Sequence, residues 1–248
     1  LVAVLAVGKI LSVVAALVKY YGYRLDEQGS DLRVRHGLFT RVSVTLRVPR
    51  IQVVHQLATP LHRLFRRVAL QVDQAGGGGD PEAGQSGGAR PLAPICTPAQ
   101  AEALIAHQPE WQSLSSRTRH RLARLWLWCW TALTLPPGLW WLGVHGLWLP
   151  LAGVPLALIH GHLYAKYTRW ALTPDLLLFH RGWLWRRLAV VPRNRIQAIR
   201  LTRSPFDRRY RMSELEVDTA GGGLGKRRVR LPYLDRRVAA RLGSALYH

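Results

Sequence analysis

A stretch of 47 residues occurs twice in this chain, and this repeat limits the possible folds more than any other feature. Residues 32–78 align without a gap to residues 177–223, at a constant offset of 145 positions, and 16 of the 47 aligned pairs are identical. Identity at about a third of ungapped positions indicates two copies of one supersecondary unit. We therefore expect two domains of one fold, called copy one and copy two below. The identical pairs include Gly37/Gly182, Arg41/Arg186, Arg50/Arg195, Ile51/Ile196, Gln52/Gln197, Arg63/Arg208, Arg66/Arg211, Asp73/Asp218 and Gly76/Gly221.

Apolar and polar residues alternate along most of each copy. In copy one the apolar residues of 32–36 alternate with arginines, and residues 42–48 alternate in the same way. Strict alternation predicts strands with one solvated face. Gly37 fits the turn between two of them, because glycine adopts positive φ without steric cost. Each copy then ends in a predicted helix, at about 97–107 and at 234–246. These features predict an α+β fold in which a bent antiparallel sheet closes on itself under a C-terminal helix.

The repeat also predicts the domain boundaries. We expect the first domain over residues 20–110 and the second over residues 166–248. Copy one carries a glycine-rich stretch that copy two lacks, and such a composition favours a flexible loop. We therefore expect an insertion over residues 76–94 in the first domain.

Most of the remaining sequence is apolar enough for a lipid bilayer. Residues 1–18 contain one charge, Lys9, and residues 125–164 contain no Lys, Arg, Asp or Glu. A helix needs about 20 apolar residues to cross a bilayer, so 40 residues suit two crossings. We expect one helix at 1–18 and a helical hairpin at 122–164, about three transmembrane helices in all. Because the sequence starts inside an apolar run, we also expect further segments before Leu1.

Basic residues predict the orientation of these crossings. Lys19 and Arg24 follow the first apolar segment, residues 117–124 contain four arginines before the hairpin, and Lys166 follows it. The hairpin turn has no Lys or Arg. Basic flanks favour the cytoplasmic side of a membrane, so we expect both domains there.

Several short motifs occur in the same order in both copies. They are the glycine turn, Arg-Ile-Gln, a proline followed by Arg-x-x-Arg, and the closing Asp-x-Ala-Gly-Gly. In this order and between apolar segments they resemble the bacterial pleckstrin-homology (PH) domains of membrane-flanked proteins of the YdbS/YdbT type. The resemblance covers nearly the whole chain. It implies a PH-like roll, a multi-pass protein of the bacterial inner membrane, and no established enzymatic activity or cofactor.

The chain is strongly basic, with 35 Lys and Arg against 14 Asp and Glu and a net charge of +21. Such a charge indicates an acidic partner, such as nucleic acid, an anionic membrane surface or an acidic protein. The basic groups lie beside apolar segments and no nucleic-acid-reading motif is present, so we do not expect nucleic-acid binding. In eukaryotic PH domains, basic residues on the first strands hold phosphoinositide phosphates. By resemblance, the candidates for anionic-headgroup binding are Arg33, Arg35, Arg41, Arg50, Arg181, Arg186, Arg187 and Arg195.

These arginines also suit nonspecific attraction to a membrane surface, contact with a protein partner, or plain solvation. We expect a protein partner or a homo-oligomer. The repeat-motif residues have an expected structural role, and Asp73 and Asp218 are expected to accept hydrogen bonds from the glycine turn or to pair with Arg50 or Arg195. The residues with this expected structural role are Gly37, Ile51, Gln52, Asp73, Gly76, Gly182, Ile196, Gln197, Asp218 and Gly221.

Catalytic chemistry has little support in the sequence. No nucleophile and base occur at a plausible spacing, no phosphate-binding glycine loop is followed by Lys-Ser or Lys-Thr, and Cys96 and Cys129 lack metal-ligand spacing. His160 and His162 suit an interfacial position better than a metal site. We therefore expect no enzyme, no metal and no cofactor, but a membrane-tethered binding or scaffolding protein. The alternative is an accessory component of a transport or export system.

Overall fold

The computed structural model describes residues 2–29, 31–75, 89–105, 110–219 and 228–247. Helix α1 leads into copy one, whose strands form two antiparallel three-stranded groups with a helix after the last strand. The α+β class predicted from the repeat is confirmed. The elements up to the end of copy one are α1 (Val2–Lys19), β1 (Arg24–Gln28), β2 (Asp31–His36), β3 (Val42–Arg47), a 3-10 helix (Val48–Arg50), β4 (Ile51–Ala58), α2 (Pro60–Leu64), β5 (Val68–Gln74), β6 (Ala89–Cys96) and α3 (Pro98–Ile105).

Copy two repeats this order after a pair of long helices. The two helices follow a short strand and are joined by a 3-10 turn. The elements are β7 (Gln112–Ser113), α4 (Ser116–Leu142), a 3-10 helix (Gly143–Leu147), α5 (Trp148–Tyr167), β8 (Arg169–Leu172), β9 (Leu176–Arg181), β10 (Arg186–Pro192), a 3-10 helix (Arg193–Arg195), β11 (Ile196–Thr202), α6 (Pro205–Arg209), β12 (Met212–Thr219), β13 (Val229–Asp235) and α7 (Arg236–Tyr247).

The two copies share one sheet. Strand β4 of copy one pairs antiparallel with β10 of copy two, in a register that runs from Ala58 opposite Arg186 to Val54 opposite Val190. This pairing joins the second strand group of copy one to the first strand group of copy two. The resulting seven-stranded sheet has the order β6-β5-β4-β10-β9-β8-β7. The remaining two sheets are β1-β2-β3 and β11-β12-β13.

Each copy has its own apolar core between its two strand groups. In copy one Val34 and Leu46 of the first group pack with Leu70 and Val72 of the second. In copy two Phe179 and Val191 occupy the matching places, and Leu242 of α7 closes the core. The helix over the core agrees with the prediction, whereas the two strand groups of each copy belong to separate sheets instead of one closed sheet.

Local conformations repeat along with the sequence. Gly37 and Gly182 both have positive φ, 115° and 85°, in the turns after β2 and β9. Arg66 and Arg211 share the left-handed region, with φ of 51° and 54°. Helices α2 and α6 both begin with a proline after a capping residue. The identical residues of the repeat therefore specify backbone shape at equivalent places.

Some predicted boundaries differ from the structure. Strand β6 begins at Ala89, inside the stretch predicted as an insertion, while residues 76–88 lie outside the described part of the chain. The turn between α4 and α5 lies at Gly143–Leu147, and α4 continues through Pro136 and Pro137. Strand β7 was not predicted, because two residues carry no periodic pattern.

One segment of the described helices, Gly143–Tyr167, is long and apolar enough to cross a membrane, and only 12% of its apolar window is buried in the protein. The prediction of about three crossings therefore has support for this segment alone. Helices α4 and α5 pack closely, since a Cβ added at Gly161 would lie 2.6 Å from the Ala123 nitrogen. Small residues at such contacts are typical of helices that pair in membranes.

Substitution of Gly182 tests the repeated turn. The positive φ of Gly182 strains any other residue, and a Cβ there would lie 2.2 Å from the Trp185 carbonyl oxygen. We expect Gly182→Ala to lower the free energy of unfolding by about 1–3 kcal/mol. The measurement is denaturant unfolding of the purified chain, followed by tryptophan fluorescence. Gly243→Ala is the matched control, because Gly243 is helical and its nearest neighbour would be 3.9 Å away, so that change should stabilise by about 0.5–1 kcal/mol. Equal effects of the two substitutions would contradict the assignment.

Candidate functional site

A cavity of about 720 Å³ lies where the two copies meet. Strands β4 and β10 form its floor, and alternation along each strand selects the side chains that face it. In the paired register, Arg186 and Leu188 of β10 lie opposite Ala58 and Gln56 of β4. We call this cavity the interdomain cleft. Its lining residues are Gln56, Ala58, Arg63, Arg66, Arg67, Val68, Thr97, Pro98, Ala99, His180, Arg186 and Leu188.

Copy one supplies three arginines to the interdomain cleft, from α2 and the turn after it. The Thr59 hydroxyl accepts a hydrogen bond from the His62 amide, and the His62 side chain accepts one from the Thr59 amide, so the start of this short helix is fixed. The left-handed backbone of Arg66 then turns the chain back into β5. As a result Arg63, Arg66 and Arg67 all line the same cavity.

Copy two supplies the fourth arginine, Arg186, which is the first residue of β10. The Arg186 guanidinium lies 4.7 Å from the centre of the Tyr167 ring, a cation–π contact at the end of α5. Its Nε atom is buried and has no hydrogen-bond partner among the described residues. A buried donor without a partner costs free energy.

His180 lies beside Arg186 and is held at one ring nitrogen. Its Nδ1 is 2.6 Å from the Tyr167 carbonyl oxygen, so Nδ1 carries the proton of the neutral ring. Burial lowers the pKa of His180, and the charges of Arg186 and Arg169 lower it further against the opposing effect of that hydrogen bond. The positive charge of the interdomain cleft at neutral pH therefore comes from guanidinium groups.

The electrostatics of the interdomain cleft favour an anion. Four arginines line it, and no carboxylate is among its described lining residues. The first residues of α3 also line it, and the N-terminal end of a helix carries partial positive charge. Arginine binds phosphate or carboxylate oxygens through paired N–H donors. The arrangement suits a phosphate-sized group with an attached organic part.

The structure places the eight arginines predicted as headgroup ligands on different surfaces. Of those eight, Arg186 alone lines the interdomain cleft. Arg181 and Arg187 point to the opposite face of the same sheet, where a cavity of about 70 Å³ also contains Arg228 and Arg230. Arg33, Arg35, Arg41, Arg50 and Arg195 lie on other surfaces of the sheets and the 3-10 helices.

Several repeat-motif residues lie at irregularities of the backbone. The β4 and β11 pairings both shift register after their first residue, at Ile51 and Ile196, so Gln52 and Gln197 occupy equivalent bulges. Asp73 does not pair with Arg50, because its Oδ2 atom lies 3.2 Å from Nε2 of His55 on the neighbouring strand. Asp218 lies 3.9 Å from Arg228 rather than beside Arg195, and Gly76 and Gly221 lie outside the described residues.

Sequence reasoning missed Arg63, Arg66, Arg67 and His180 as functional candidates. A signal for two of them was available, because Arg63 and Arg66 are identical to Arg208 and Arg211 in copy two. Their role depends on the pairing of β4 with β10, and no local pattern in the sequence specifies that pairing.

Exposed aromatic side chains lie in corresponding turns and short helices of the two copies. Phe39 and Trp185 lie in the turns after β2 and β9, with exposed fractions of 85% and 61%. Phe65 and Phe206, from the α2 and α6 regions, are similarly exposed. Large exposed apolar groups of this kind favour an interaction surface.

Hydrogen bonds attach the turn after β9 to α5. The Arg63 side chain donates to the Trp183 carbonyl oxygen at 3.0 Å, and the Trp183 indole N–H donates to Nδ1 of His160 at 3.1 Å. His160 is seven residues before Tyr167, or about 10 Å along the helix at about 1.5 Å per residue. The turn after β9 therefore lies alongside α5, about 10 Å from the C-terminal end of the helix.

Copy two is attached to α4 by a mostly buried ion pair. The Arg121 guanidinium donates to the Asp207 carboxylate, and Asp207 also accepts hydrogen bonds from the Ser204 amide and hydroxyl. Burial by itself raises the pKa of Asp207, but the Ser204 hydrogen bonds and then Arg121 outweigh it, so the pKa is below its usual value.

Comparison with known proteins gives one family. The family model described as "Bacterial PH domain" matches residues 1–110 and, separately, residues 125–248. The curated proteins contain no match. The solved structures contain none either.

The ion pair predicts a pH dependence of stability. Because the folded-state pKa of Asp207 is below its unfolded value, the stabilisation is present above about pH 4 and is lost as the pH falls through the folded-state value. We expect Asp207→Asn to cost about 1–3 kcal/mol at pH 7 and progressively less as the pH falls toward 3. Denaturant unfolding from pH 7 to pH 3 measures this difference. Asp235→Asn is the control, because its pair with Arg117 is more exposed, and a cost as large and as pH-dependent there would contradict the assignment.

Proposed function

The chain belongs to the bacterial PH domain family, and from that premise we propose that it is a noncatalytic, membrane-anchored binding protein whose interdomain cleft takes the phosphate group of an anionic lipid. PH-like domains indicate a binding or scaffolding role. The observation that carries the lipid proposal is the convergence of four arginines on one cavity beside the end of α5.

The chemistry of the interdomain cleft supports a phosphate ester. A guanidinium binds phosphate oxygens in a bidentate manner, and Arg186 keeps one buried N–H donor unpaired among the described residues. A cavity of about 720 Å³ is within the range of ligand sites, about 300–1,000 Å³, so it has room for a headgroup as well as its phosphate. Leu188, Val68 and Pro98 supply apolar contacts in the same wall.

The surroundings of the interdomain cleft support a lipid as the source of that phosphate. The segment Gly143–Tyr167 has the length and composition of a membrane-crossing helix, and Tyr167 at its end contacts Arg186. If α5 crosses the bilayer, the cleft lies at headgroup level. Trp185, in the turn whose Trp183 is hydrogen-bonded to His160 of α5, then lies in the interface, where tryptophan side chains are favoured.

Noncatalytic function fits the reactive groups that the structure describes. Among these residues there is no group of three His, Cys, Asp or Glu side chains that could hold a metal ion. Burial raises the pKa of the Cys96 thiol, with Arg67 opposing, and the thiol donates to the Val68 carbonyl oxygen. A protonated, buried thiol is a poor nucleophile.

The anchoring and its orientation can be tested directly. We expect the chain to stay in the membrane fraction after washing with high salt and alkaline carbonate, because α5 and the segments before each domain would cross the bilayer. Reporter fusions should place residues 79 and 248 in the cytoplasm and residue 146 outside, since the basic residues flank the apolar segments on the domain side. Release of the chain by carbonate, or an external residue 79, would overturn the anchoring or the orientation.

Removal of two cleft arginines tests the lipid site. We expect Arg66→Gln combined with Arg186→Gln to weaken binding of dihexanoyl phosphatidic acid by at least tenfold, because each arginine supplies charge-assisted hydrogen bonds and about 1.4 kcal/mol corresponds to tenfold. The measurement is titration calorimetry on the purified full chain in an uncharged detergent.

The matched control removes the same charge elsewhere. Arg237 and Arg241 lie on the exposed face of α7, and Arg237→Gln with Arg241→Gln should leave the affinity nearly unchanged. Equal losses in both variants would indicate nonspecific attraction and remove the proposed site. Titration with inorganic phosphate and with dihexanoyl phosphatidylcholine separates free phosphate from a lipid ligand. Binding of inorganic phosphate as tight as that of phosphatidic acid would overturn the lipid assignment.

A further inference from the structure

The pairing between the copies buries an edge that the equivalent strand leaves exposed. In β4, which pairs with β10 over Val54–Ala58, residues 55–58 are half-buried. The equivalent residues, 200–203, are exposed. Among the described residues β11 pairs only with β12, and β3, the equivalent of β10, pairs only with β2. Within its described residues the chain therefore has two strands with a free edge. One is β11, the equivalent of β4, and the other is β3, the equivalent of β10.

We propose that β3 of one molecule pairs with β11 of a second copy of the chain, so that molecules assemble head to tail by the same strand pairing that joins copy one to copy two. Unpaired edge strands present rows of backbone donors and acceptors that favour such pairing. The occupant is a second copy because the internal interface already shows that these two strand types fit each other.

The repeat offset of 145 fixes the register of the new pairing. In the internal interface Leu188 pairs with Gln56. The equivalent of Leu188 in copy one is Ser43, 145 positions earlier, and the equivalent of Gln56 in copy two is Leu201, 145 positions later. The new pairing therefore places Ser43 opposite Leu201. The same operation places Val42 opposite Thr202 and Thr45 opposite Ile199. Such β-branched residues are favourable in paired strands. One like-charge pair, Arg41 opposite Arg203, falls at the end of the register, next to the proposed second cleft.

The proposed pairing would also assemble a second cleft. The internal cleft takes Arg186 from copy two and Arg63 and Arg66 from copy one. Their equivalents are Arg41, Arg208 and Arg211, which are identical in type and are all exposed. Arg41 follows the turn before β3, while Arg208 and Arg211 follow β11, so within one chain they lie beside different sheets.

Head-to-tail pairing brings those two halves together. Arg41 of one molecule then lies beside Arg208 and Arg211 of the next, in the arrangement that Arg186 has with Arg63 and Arg66 inside each chain. Each half-site is incomplete without the neighbouring copy, which gives a physical reason for all three arginines to occur in both copies of the repeat. The ligand of this second cleft rests on the proposed function, whereas the strand pairing rests on the register alone.

Cysteine cross-linking tests the pairing in membranes. In a Cys129→Ala background, we expect Ser43→Cys with Leu201→Cys to give covalent dimers, trimers and longer ladders on mild oxidation, because directly opposed residues in paired strands are close enough for a disulfide. Both positions are exposed, so the substitutions leave the cores intact. Non-reducing gel electrophoresis of the full chain gives the result.

The internal interface supplies a matched control. Gln56→Cys with Leu188→Cys occupies the equivalent pair inside one chain and should close an intramolecular disulfide without a ladder. Shifting one partner by a residue, with Ser43→Cys and Thr202→Cys, should greatly reduce the ladder, because successive side chains of a strand point to opposite faces. Closure of the internal pair without any ladder from Ser43→Cys and Leu201→Cys would overturn the proposal.

A charge reversal at the same pair gives an independent readout. Ser43→Lys with Leu201→Lys places like charges opposite each other at every junction and should leave single molecules. Ser43→Glu with Leu201→Lys places opposite charges there and should restore the assembly. Native mass spectrometry of the detergent-solubilised chain gives the number of chains in each assembly. The same number of chains in both variants would contradict the pairing. Lipid binding does not enter either readout, so failure here leaves the internal cleft untouched.

Discussion

The antiparallel pairing of β4 with β10 is the interaction on which the rest of the structure depends. Each copy of the repeat has its own small core, and Val53 of β4 also packs into the core of copy two. The backbone hydrogen bonds between Val54–Ala58 and Arg186–Val190 join the two units in one sheet. Because alternate residues of a strand face opposite sides, this register decides which side chains of both copies meet. The interdomain cleft exists only as a consequence of that register.

Local backbone geometry then brings the arginines into range. The capping residue Thr59, the proline after it and the left-handed Arg66 form a compact turn between β4 and β5, and the same turn occurs between β11 and β12 with Ser204 and Arg211. In copy two the third residue of this helix is Asp207, which binds Arg121 of α4, whereas copy one has His62 there. One turn therefore serves two purposes: in copy two it attaches the domain to the long helix, and in copy one it lines the interdomain cleft.

The features that can be predicted from sequence are those with local or repeated signals. Gly37 and Gly182 are predictable as turn residues because only glycine accepts that backbone freely, and the strands follow from alternation. The contact between β4 and β10 joins residues more than 120 positions apart, and its sequence signal is indistinguishable from that of any amphipathic strand. For that reason sequence alone groups Arg33 and Arg35 with Arg186, although they lie on a different sheet. The identity of Arg63 with Arg208 is visible in the sequence, but its meaning depends on which copy has a paired edge.

The charge distribution of the interdomain cleft connects its function to its stability. Four guanidinium groups around one cavity repel one another, and among the described residues no carboxylate in the lining offsets them. Solvent screens much of this repulsion while the cavity is open to water, but screening weakens where a membrane surface excludes water. An anion that binds there relieves the repulsion and, by mass action, favours the folded and paired state over any state in which β4 and β10 separate.

The same reasoning applies to Arg41, Arg208 and Arg211 at a junction between molecules, where basic half-sites would repel in the absence of a ligand. Anionic lipid would then act as both ligand and cross-bridge, and the strength of assembly would depend on the composition of the membrane.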